Sequence, residues 1–207
     1  MNSQDKSTIE VELKFRAEDL PSLRSRLEAL GATPGPVEAH QDLYFRHPCR
    51  DFVKTREALR VRRVQVTRVV EGGRLESVKE TRVTYKGPPL PGGIKARHEL
   101  EWDLQPSDPD GQHLQSLLIS LGFEPVTTVS KIRHSMLLMK AGREVTVAMD
   151  EVEGVGSYVE IEVIALGESE VASSRDTVCQ LATELNLAEP ESRSYLSLLL
   201  AKNISGP

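Results

Sequence analysis

Pairs of like-charged side chains recur along this sequence at positions i and i+2. The first pair, Glu10 and Glu12, alternates with the apolar residues Ile9, Val11 and Leu13. This period-two alternation predicts a β-strand, on which the two carboxylates share one face about 7 Å apart. Four further groups have the same spacing: Arg60 and Arg62, Arg97 with Glu99 and Glu101, Lys131 and Arg133, and Glu160 and Glu162.

A solvated face of an ordinary antiparallel sheet is the simpler interpretation of any one of these strands. Solvated faces, however, usually mix the two signs of charge, because like neighbours on a sheet are mildly destabilising. A closed sheet whose inner wall binds a metal ion and a polyanion would remove the conflict. The recurrence of the pattern therefore favours a barrel with a charged interior.

The charged residues suggest one kind of chemistry. Magnesium and manganese ions prefer oxygen ligands, and carboxylates hold them together with substrate phosphates. The available carboxylates are Glu10, Glu12, Asp150, Glu160 and Glu162. Arginine and lysine bind phosphate oxygens, and the candidates carry more positive charge than a monophosphate needs: Lys14, Arg60, Arg62, Lys86, Arg97, Lys131 and Arg133. The sequence therefore predicts a triphosphate ligand, with Mg²⁺ or Mn²⁺ as cofactor.

About eight strands and four helices are predicted to position these residues. The strands fall at 8–16, 41–45, 58–67, 74–86, 94–104, 126–140, 144–150 and 157–166, and the helices at 18–30, 108–121, 170–185 and 191–200. Residues 33–36 are predicted to be a turn, and residues 47–55 and 87–93 to be loops. The predicted fold class is α+β: an eight-stranded antiparallel barrel with helices packed outside its apolar wall.

Composition limits the remaining possibilities. The chain has 207 residues, of which 39% are hydrophobic, and we expect one domain over residues 1–207. The net charge of −5 argues against nucleic acid as a partner. Cys49 and Cys179 are far apart, which argues against a disulfide framework or a zinc site and favours a cytoplasmic location. Apolar runs are too short to span a membrane, and the first seven residues are unlike a signal peptide.

The charged motifs also carry a family resemblance. Glu10-x-Glu12-x-Lys14 resembles the ExExK signature of the CYTH superfamily, the triphosphate tunnel metalloenzymes. Later motifs follow in the order of that superfamily: Leu59-Arg60-Val61-Arg62, Tyr85-Lys86-Gly87-Pro88, Arg97-x-Glu99-x-Glu101, Lys131-x-Arg133, the DEVEGVG segment at 150–156, Glu160-Ile161-Glu162 and Ser194-Tyr195-x-x-Leu198. Within the superfamily, the YFRHPCRDF segment at 44–52 is most similar to class IV adenylyl cyclases of the CyaB type.

The resemblance implies a tunnel-like barrel, two divalent ions and a homodimer. It implies metal ligands at Glu10, Glu12, Glu160 and Glu162, with Asp150 as a further ligand, and phosphate contacts at Lys14, Arg60, Arg62, Lys86, Lys131 and Arg133. Arg97 is predicted as another phosphate contact, and neutralisation of Glu99 and Glu101 is its structural alternative. We expect Glu12, Lys14 and Lys131 to act in catalysis.

Three functions are compatible with such a tunnel. In a cyclase, the ribose 3′-hydroxyl of ATP attacks the α-phosphorus, and cyclic AMP and pyrophosphate form. In a triphosphatase, water attacks the terminal phosphorus of tripolyphosphate, thiamine triphosphate or a nucleotide. A sensor would bind a triphosphate without turnover, although the complete acidic set argues against it. Charge patterning does not separate the two reactions, and the 44–52 resemblance favours the cyclase.

Overall fold

Eight antiparallel strands close into a barrel in the computed structural model, which describes residues 8–92 and 94–204. The strands are β1 (Thr8–Arg16), β2 (Thr33–Arg46), β3 (Ala58–Val69), β4 (Leu75–Lys86), β5 (Lys95–Asp103), β6 (Glu124–Lys140), β7 (Arg143–Val152) and β8 (Gly156–Ala165). Their order around the barrel is β1-β5-β4-β3-β2-β6-β7-β8, and β8 pairs with β1 to close it. The predicted barrel is confirmed.

Within these ranges, five α-helices lie outside the barrel: α1 (Leu20–Ala29), α2 (Phe52–Thr55), α3 (Gln112–Ser120), α4 (Glu168–Glu184) and α5 (Tyr195–Ile204). The largest apolar cluster joins the outer faces of β1 and β8 to α1 and α4, and it includes Ile9, Val11, Leu27, Ile161 and Leu181. Because side chains alternate along a strand, burial of Ile9 and Val11 on the outside directs Glu10 and Glu12 into the barrel.

Two smaller clusters hold α3 and α5. Leu118 of α3 packs against Phe45 and Val61 of β2 and β3. Tyr195 and Leu198 of α5 pack in a cluster with residues of β2, β6, β7 and β8. These contacts place α5 beside the end of the barrel where β1, β2, β4 and β7 finish, which we call the upper end.

The second strand is longer than predicted. It begins at Thr33, although residues 33–36 were expected to form a turn because they contain Pro34 and Pro36. Its pairing with β6 shifts register between Pro34 and Val37, and its pairing with β3 begins at Val37. The prolines therefore lie beside a bulge at an unpaired edge, where a missing N–H is tolerated.

The helices also differ in detail from the prediction. The loop at 47–55 contains α2, whose first N–H groups are capped by the carboxylate of Asp51, so five helices replace the four expected. Helix α3 begins at Gln112 and not at residue 108. The Asp108 carboxylate accepts the backbone N–H groups of His113 and Leu114, so it satisfies the start of the helix from outside it.

Some predictions concern residues outside the described ranges. The predicted loop at 87–93 ends at Gly93, and the predicted domain begins and ends in residues 1–7 and 205–207, which lie outside those ranges. The extent of the domain stays a prediction. No helix within the described ranges is long and apolar enough to cross a membrane.

Candidate active site

The inner faces of the strands surround a cavity of about 1380 Å³. Eleven of the twelve site residues predicted from the sequence line it: Glu10, Glu12, Lys14, Arg60, Arg62, Lys86, Arg97, Lys131, Arg133, Glu160 and Glu162. We call this cavity the tunnel. The twelfth residue, Asp150, is fully buried behind the tunnel surface.

Three carboxylates meet on one side of the tunnel. The β1–β8 register places Glu12 directly opposite Glu162, and one oxygen each from Glu10, Glu12 and Glu162 lie within 4.8 Å of one another. Burial, together with the neighbouring Glu10 and Glu160 charges, raises the pKa of Glu162 to about 8. Burial also raises the pKa of Glu10. Clustered carboxylates of this kind are the donor set that a hard divalent cation prefers, so these residues fit Mg²⁺ or Mn²⁺.

Two lysines contact the same carboxylates. Lys86 forms ion pairs with Glu10 and with Glu99, the latter at 3.1 Å, and Lys95 Nζ is 2.8 Å from Glu12 Oε1. Burial acts to raise the pKa of Glu12, but Lys95, Lys86 and Lys14 together outweigh it, and the pKa is lowered. Glu99 is likewise buried, but Lys86, Arg60 and a hydrogen bond with Glu10 together lower its pKa to about 2. The lysines therefore supply positive charge to the acidic side of the tunnel.

Asp150 is the centre of a separate, basic cluster. Its carboxylate accepts two hydrogen bonds from Arg133 at 2.7 Å, one from Lys131 at 2.8 Å and one from the Tyr195 hydroxyl at 3.0 Å. Burial opposes ionisation, yet Arg133 and Lys131 hold the pKa of Asp150 far below its ordinary value. Asp150 is thus satisfied by protein groups and does not join the three-carboxylate cluster.

Arg133 connects the basic and acidic sides of the tunnel. Beyond Asp150, its guanidinium contacts Glu160 and lies 3.4 Å from Glu162. Glu160 is also 3.9 Å from Lys14, whose ammonium lies over the Tyr195 ring, 4.3 Å from its centroid. Burial and the neighbouring Arg133 lower the pKa of Lys131 to about 8.

A second buried aspartate holds the arginines of β3. Asp42 lies opposite Arg62 in the β2–β3 register and accepts a bidentate pair of hydrogen bonds from it at 2.6 and 2.7 Å. Arg60 is 3.4 Å from the same carboxylate. These cations lower the pKa of Asp42 far below its ordinary value despite burial. Asp42 and Asp150 therefore fix the positions of three arginines.

Some guanidinium donors in the tunnel remain unused. Within the described part of the chain, the buried Nε atoms of Arg60 and Arg97 have no hydrogen-bond acceptor. Arg97 donates instead from Nη1 to the Arg56 carbonyl at 3.1 Å, while Glu99 and Glu101 are paired with other cations. A buried cationic donor without an acceptor is costly, and an anion with many oxygens would satisfy these groups.

His40 forms a dyad with Glu38 on the inner face of β2. Its Nε2 is 2.9 Å from the Glu38 carboxylate. Burial lowers the pKa of His40 to about 4, and Arg62, Lys131 and Arg133 add to the effect. The ring is therefore neutral at neutral pH, with its proton on Nε2. The Nδ1 atom is buried without a partner among the described residues.

The upper end of the tunnel has a different lining. It is formed by residues 46–53 after β2 and residues 192–197 before and within α5. Arg50 is 2.7 Å from Glu57, which also accepts a hydrogen bond from Tyr85. Apolar groups are exposed here, with Val53 87% and Val126 37% accessible. This mouth offers apolar surface next to a charged interior.

Sequence patterning missed several tunnel residues that the structure brings into the site, among them Lys95, Glu38, His40 and Asp42. Lys95 lies two residues before Arg97 and therefore on the same face of β5, so extending the predicted alternation by one step would have found it. Glu38 and His40 were missed because the predicted second strand was too short to include them. The parity of Asp42 was visible in the sequence, but its partner Arg62 is set by β2–β3 pairing, which composition does not reveal.

The chain belongs to the CYTH domain family, whose model matches residues 8–195. It is 29% identical over 192 residues to a Methanocaldococcus jannaschii protein named "Putative adenylate cyclase", covering 92% of this chain and 98% of that protein. It is 25% identical over 206 residues to adenylate cyclase CyaB of Aeromonas hydrophila, covering 96% and 93%. The resemblance predicted from the motifs is confirmed.

Solved structures agree with the fold. A Pyrococcus horikoshii protein superposes with a TM-score of 0.78 at 36% identity, covering 93% of this chain and 99% of that one. A Hippeastrum protein, for which a dominant triphosphatase activity is reported, superposes with a TM-score of 0.58 at 17% identity, covering 94% and 96%. At that identity the second likeness shows the fold alone.

Replacing Asp150 and Glu162 by their isosteric amides should affect the stability of the protein differently. Asp150→Asn removes the buried carboxylate that pairs with both Lys131 and Arg133, and we expect it to lower the free energy of unfolding by about 3–5 kcal/mol. Glu162→Gln should not destabilise the metal-free protein at neutral pH, because its carboxyl is already disposed to be protonated. Urea unfolding with a chelator present measures both. Equal destabilisation by the two variants would contradict this division.

His40 should make stability depend on pH. The unfolded chain protonates this residue near pH 6.5 and the folded chain only near pH 4, so the unfolded state binds more protons between these values. The contribution of neutral His40 is therefore complete above pH 6.5 and is lost as the pH falls toward 4. As the pH falls from 6.5 to 4, the free energy of unfolding should therefore decrease less in the His40→Gln variant than in the wild-type protein, by about 3 kcal/mol.

Denaturant unfolding at several pH values provides the measurement. His113→Gln is the matched control, because that imidazole is 87% exposed and its removal should leave the profile unchanged. If His40→Gln follows the wild-type profile, the buried neutral state assigned to His40 is wrong.

Proposed function

We propose that this protein is a divalent-metal-dependent enzyme that acts on a triphosphate. One observation carries the proposal: a three-carboxylate cluster and unpartnered arginine donors line the same closed tunnel. A cation alone would satisfy the first group, and an anion alone would satisfy the second. A metal-bound polyphosphate satisfies both, which agrees with membership of the CYTH family.

Glu10, Glu12 and Glu162 are the residues proposed to hold Mg²⁺ or Mn²⁺. When bound, such an ion neutralises phosphate charge and orients the substrate. Glu160 is a candidate ligand for a second ion, in exchange for its contact with Arg133. Asp150 is better explained as the counter-ion of Lys131 and Arg133, because protein donors already occupy its carboxylate.

The proposed reaction is the cyclisation of ATP to cyclic AMP and pyrophosphate. The 3′-hydroxyl oxygen attacks the α-phosphorus, its proton is released, and the bond to the pyrophosphate oxygen breaks. Tunnel cations stabilise the charge that passes to pyrophosphate, and Lys14 and Lys131 are the proposed catalytic pair, with Glu12 as the catalytic carboxylate. The apolar mouth supports a nucleoside at the upper end, and the cavity of about 1380 Å³ exceeds what an inorganic chain needs. The names of the two relatives support the same reaction.

Hydrolysis of a triphosphate is the second candidate. The phosphate-binding groups lie on the strands and are independent of the mouth, so the tunnel could hold tripolyphosphate without a nucleoside. The activity reported for the Hippeastrum protein shows that this fold accommodates such a reaction. The homodimer and the cytoplasmic location stay predictions from the family resemblance and the composition.

Product analysis of the purified protein should separate the two reactions. With Mn²⁺ and ATP, we expect cyclic AMP and pyrophosphate by phosphorus NMR. Orthophosphate from ATP and from tripolyphosphate, without cyclic AMP, would assign the second candidate.

We expect Glu12→Gln to lower turnover by about 100-fold or more, the scale of losing one electrostatic stabiliser of a transition state.

The exposed Glu144 supplies the matched control, because Glu144→Gln removes the same charge outside the tunnel and should leave turnover unchanged. Full activity of Glu12→Gln would contradict the proposed metal site. Binding of tripolyphosphate and Mn²⁺ without any turnover would favour the sensor.

A further inference from the structure

Lys95 is a tunnel lysine at the first position of β5. The β1–β5 register places it directly opposite Glu12, and its ammonium is 2.8 Å from that carboxylate. The side chains of both residues are nearly buried, with 12% and 13% exposed. Such a pair is screened less by solvent than a surface ion pair. Its formation or loss therefore changes the electrostatic energy of the tunnel.

The Lys95 ammonium occupies a carboxylate of the proposed metal site. Glu12 is one of the three residues whose oxygens converge within 4.8 Å. An ammonium and a divalent cation on the same carboxylate repel each other, so each weakens the binding of the other. Lys95 therefore competes with a metal ion for Glu12.

Lys95 has little alternative anionic support in the protein. Within the described residues it forms one ion pair, with Glu12. Lys14 is close enough that its pKa, lowered first by burial, is lowered further by the Lys95 charge. If Glu12 bound a metal ion, Lys95 would lose its counter-ion, whereas Lys14 would keep Glu160 at 3.9 Å. A phosphate group between Lys14 and Lys95 would supply one.

Contacts of the preceding loop hold the backbone next to Lys95. In the preceding loop, the Leu90 N–H donates to the Ala96 carbonyl at 2.7 Å, and Arg175 of α4 donates to the Pro91 carbonyl at 2.8 Å. Leu90 also packs against the main apolar cluster. We therefore expect a change of partner by Lys95 to involve its side chain and not the backbone.

We propose that Lys95 exchanges partners, neutralising Glu12 in the metal-free protein and binding the triphosphate when Glu12 binds a divalent cation. This inference rests on the proposed function, because it requires both a metal and a polyphosphate in the tunnel. The exchange makes the two binding events cooperative: the phosphate removes a competitor of the metal, and the metal frees a ligand for the phosphate.

Lys95→Met tests the exchange because the two affinities should move in opposite directions. We expect Mn²⁺ alone, followed by electron paramagnetic resonance, to bind the variant about fivefold more tightly or better. We expect the manganese–tripolyphosphate complex, followed by calorimetry, to bind about tenfold more weakly, as for loss of a hydrogen bond to a charged group. Lys79→Met removes an exposed lysine of β4 and should change neither affinity.

Each other outcome has a definite meaning. If both affinities of Lys95→Met fall, Lys95 is a structural residue; if both rise or neither changes, it is not a phosphate ligand. Either result overturns the exchange while the proposed function stands. If the wild-type protein binds neither Mn²⁺ nor the complex, the proposed function fails and the exchange fails with it. Lys95→Gln replaces Lys95→Met if the latter does not fold.

Discussion

Glu12 and Glu162 face each other across the β1–β8 pairing, on the inner wall of a barrel that is closed. Closure matters because hydrogen bonding on both edges of each strand keeps these side chains from turning toward bulk water. Burial then disfavours charge, as the raised pKa of Glu162 shows. Three cations of the protein, Lys86, Lys95 and Arg133, form ion pairs with these buried carboxylates and offset the cost of their charge. Each of these cations is placed where it would have to yield a carboxylate to a metal ion.

The basic side of the tunnel depends on the same closure. Asp42 and Asp150 each sit behind a pair of cations and fix them, so that Arg62 and Arg133 are held at defined positions before any ligand binds. These two aspartates do not accept a hydrogen bond from every buried donor, because buried Nε atoms of other tunnel arginines lack acceptors among the described residues. The acidic residues thus fall into two groups: the aspartates, each of which positions a pair of cations, and the three glutamates whose oxygens converge within 4.8 Å.

Much of this arrangement was predictable from the alternation of side chains. The bounds of β1 were predicted correctly, and parity placed Glu10, Glu12 and Lys14 on one face, since apolar residues between them require an outer core. The start of β2 was not predictable, because a bulge that tolerates Pro34 depends on pairing with β6. Residue type and the family resemblance grouped Asp150 with the glutamates, whereas its separation from them follows from contacts with Tyr195 and Arg133 on distant elements. Strand parity reports which wall a residue faces, and only the pairing register reports its partners.

The most direct test of this account is anomalous diffraction from crystals of the protein grown with Mn²⁺ and tripolyphosphate. The account predicts a manganese peak within coordination distance of oxygens from Glu10, Glu12 and Glu162, with the phosphate chain extending from it toward the tunnel arginines. Manganese bound elsewhere, for example at Asp150, or tripolyphosphate bound outside the barrel, would contradict the account. Its central claim is that a metal-bound triphosphate relieves the repulsion between the clustered glutamates.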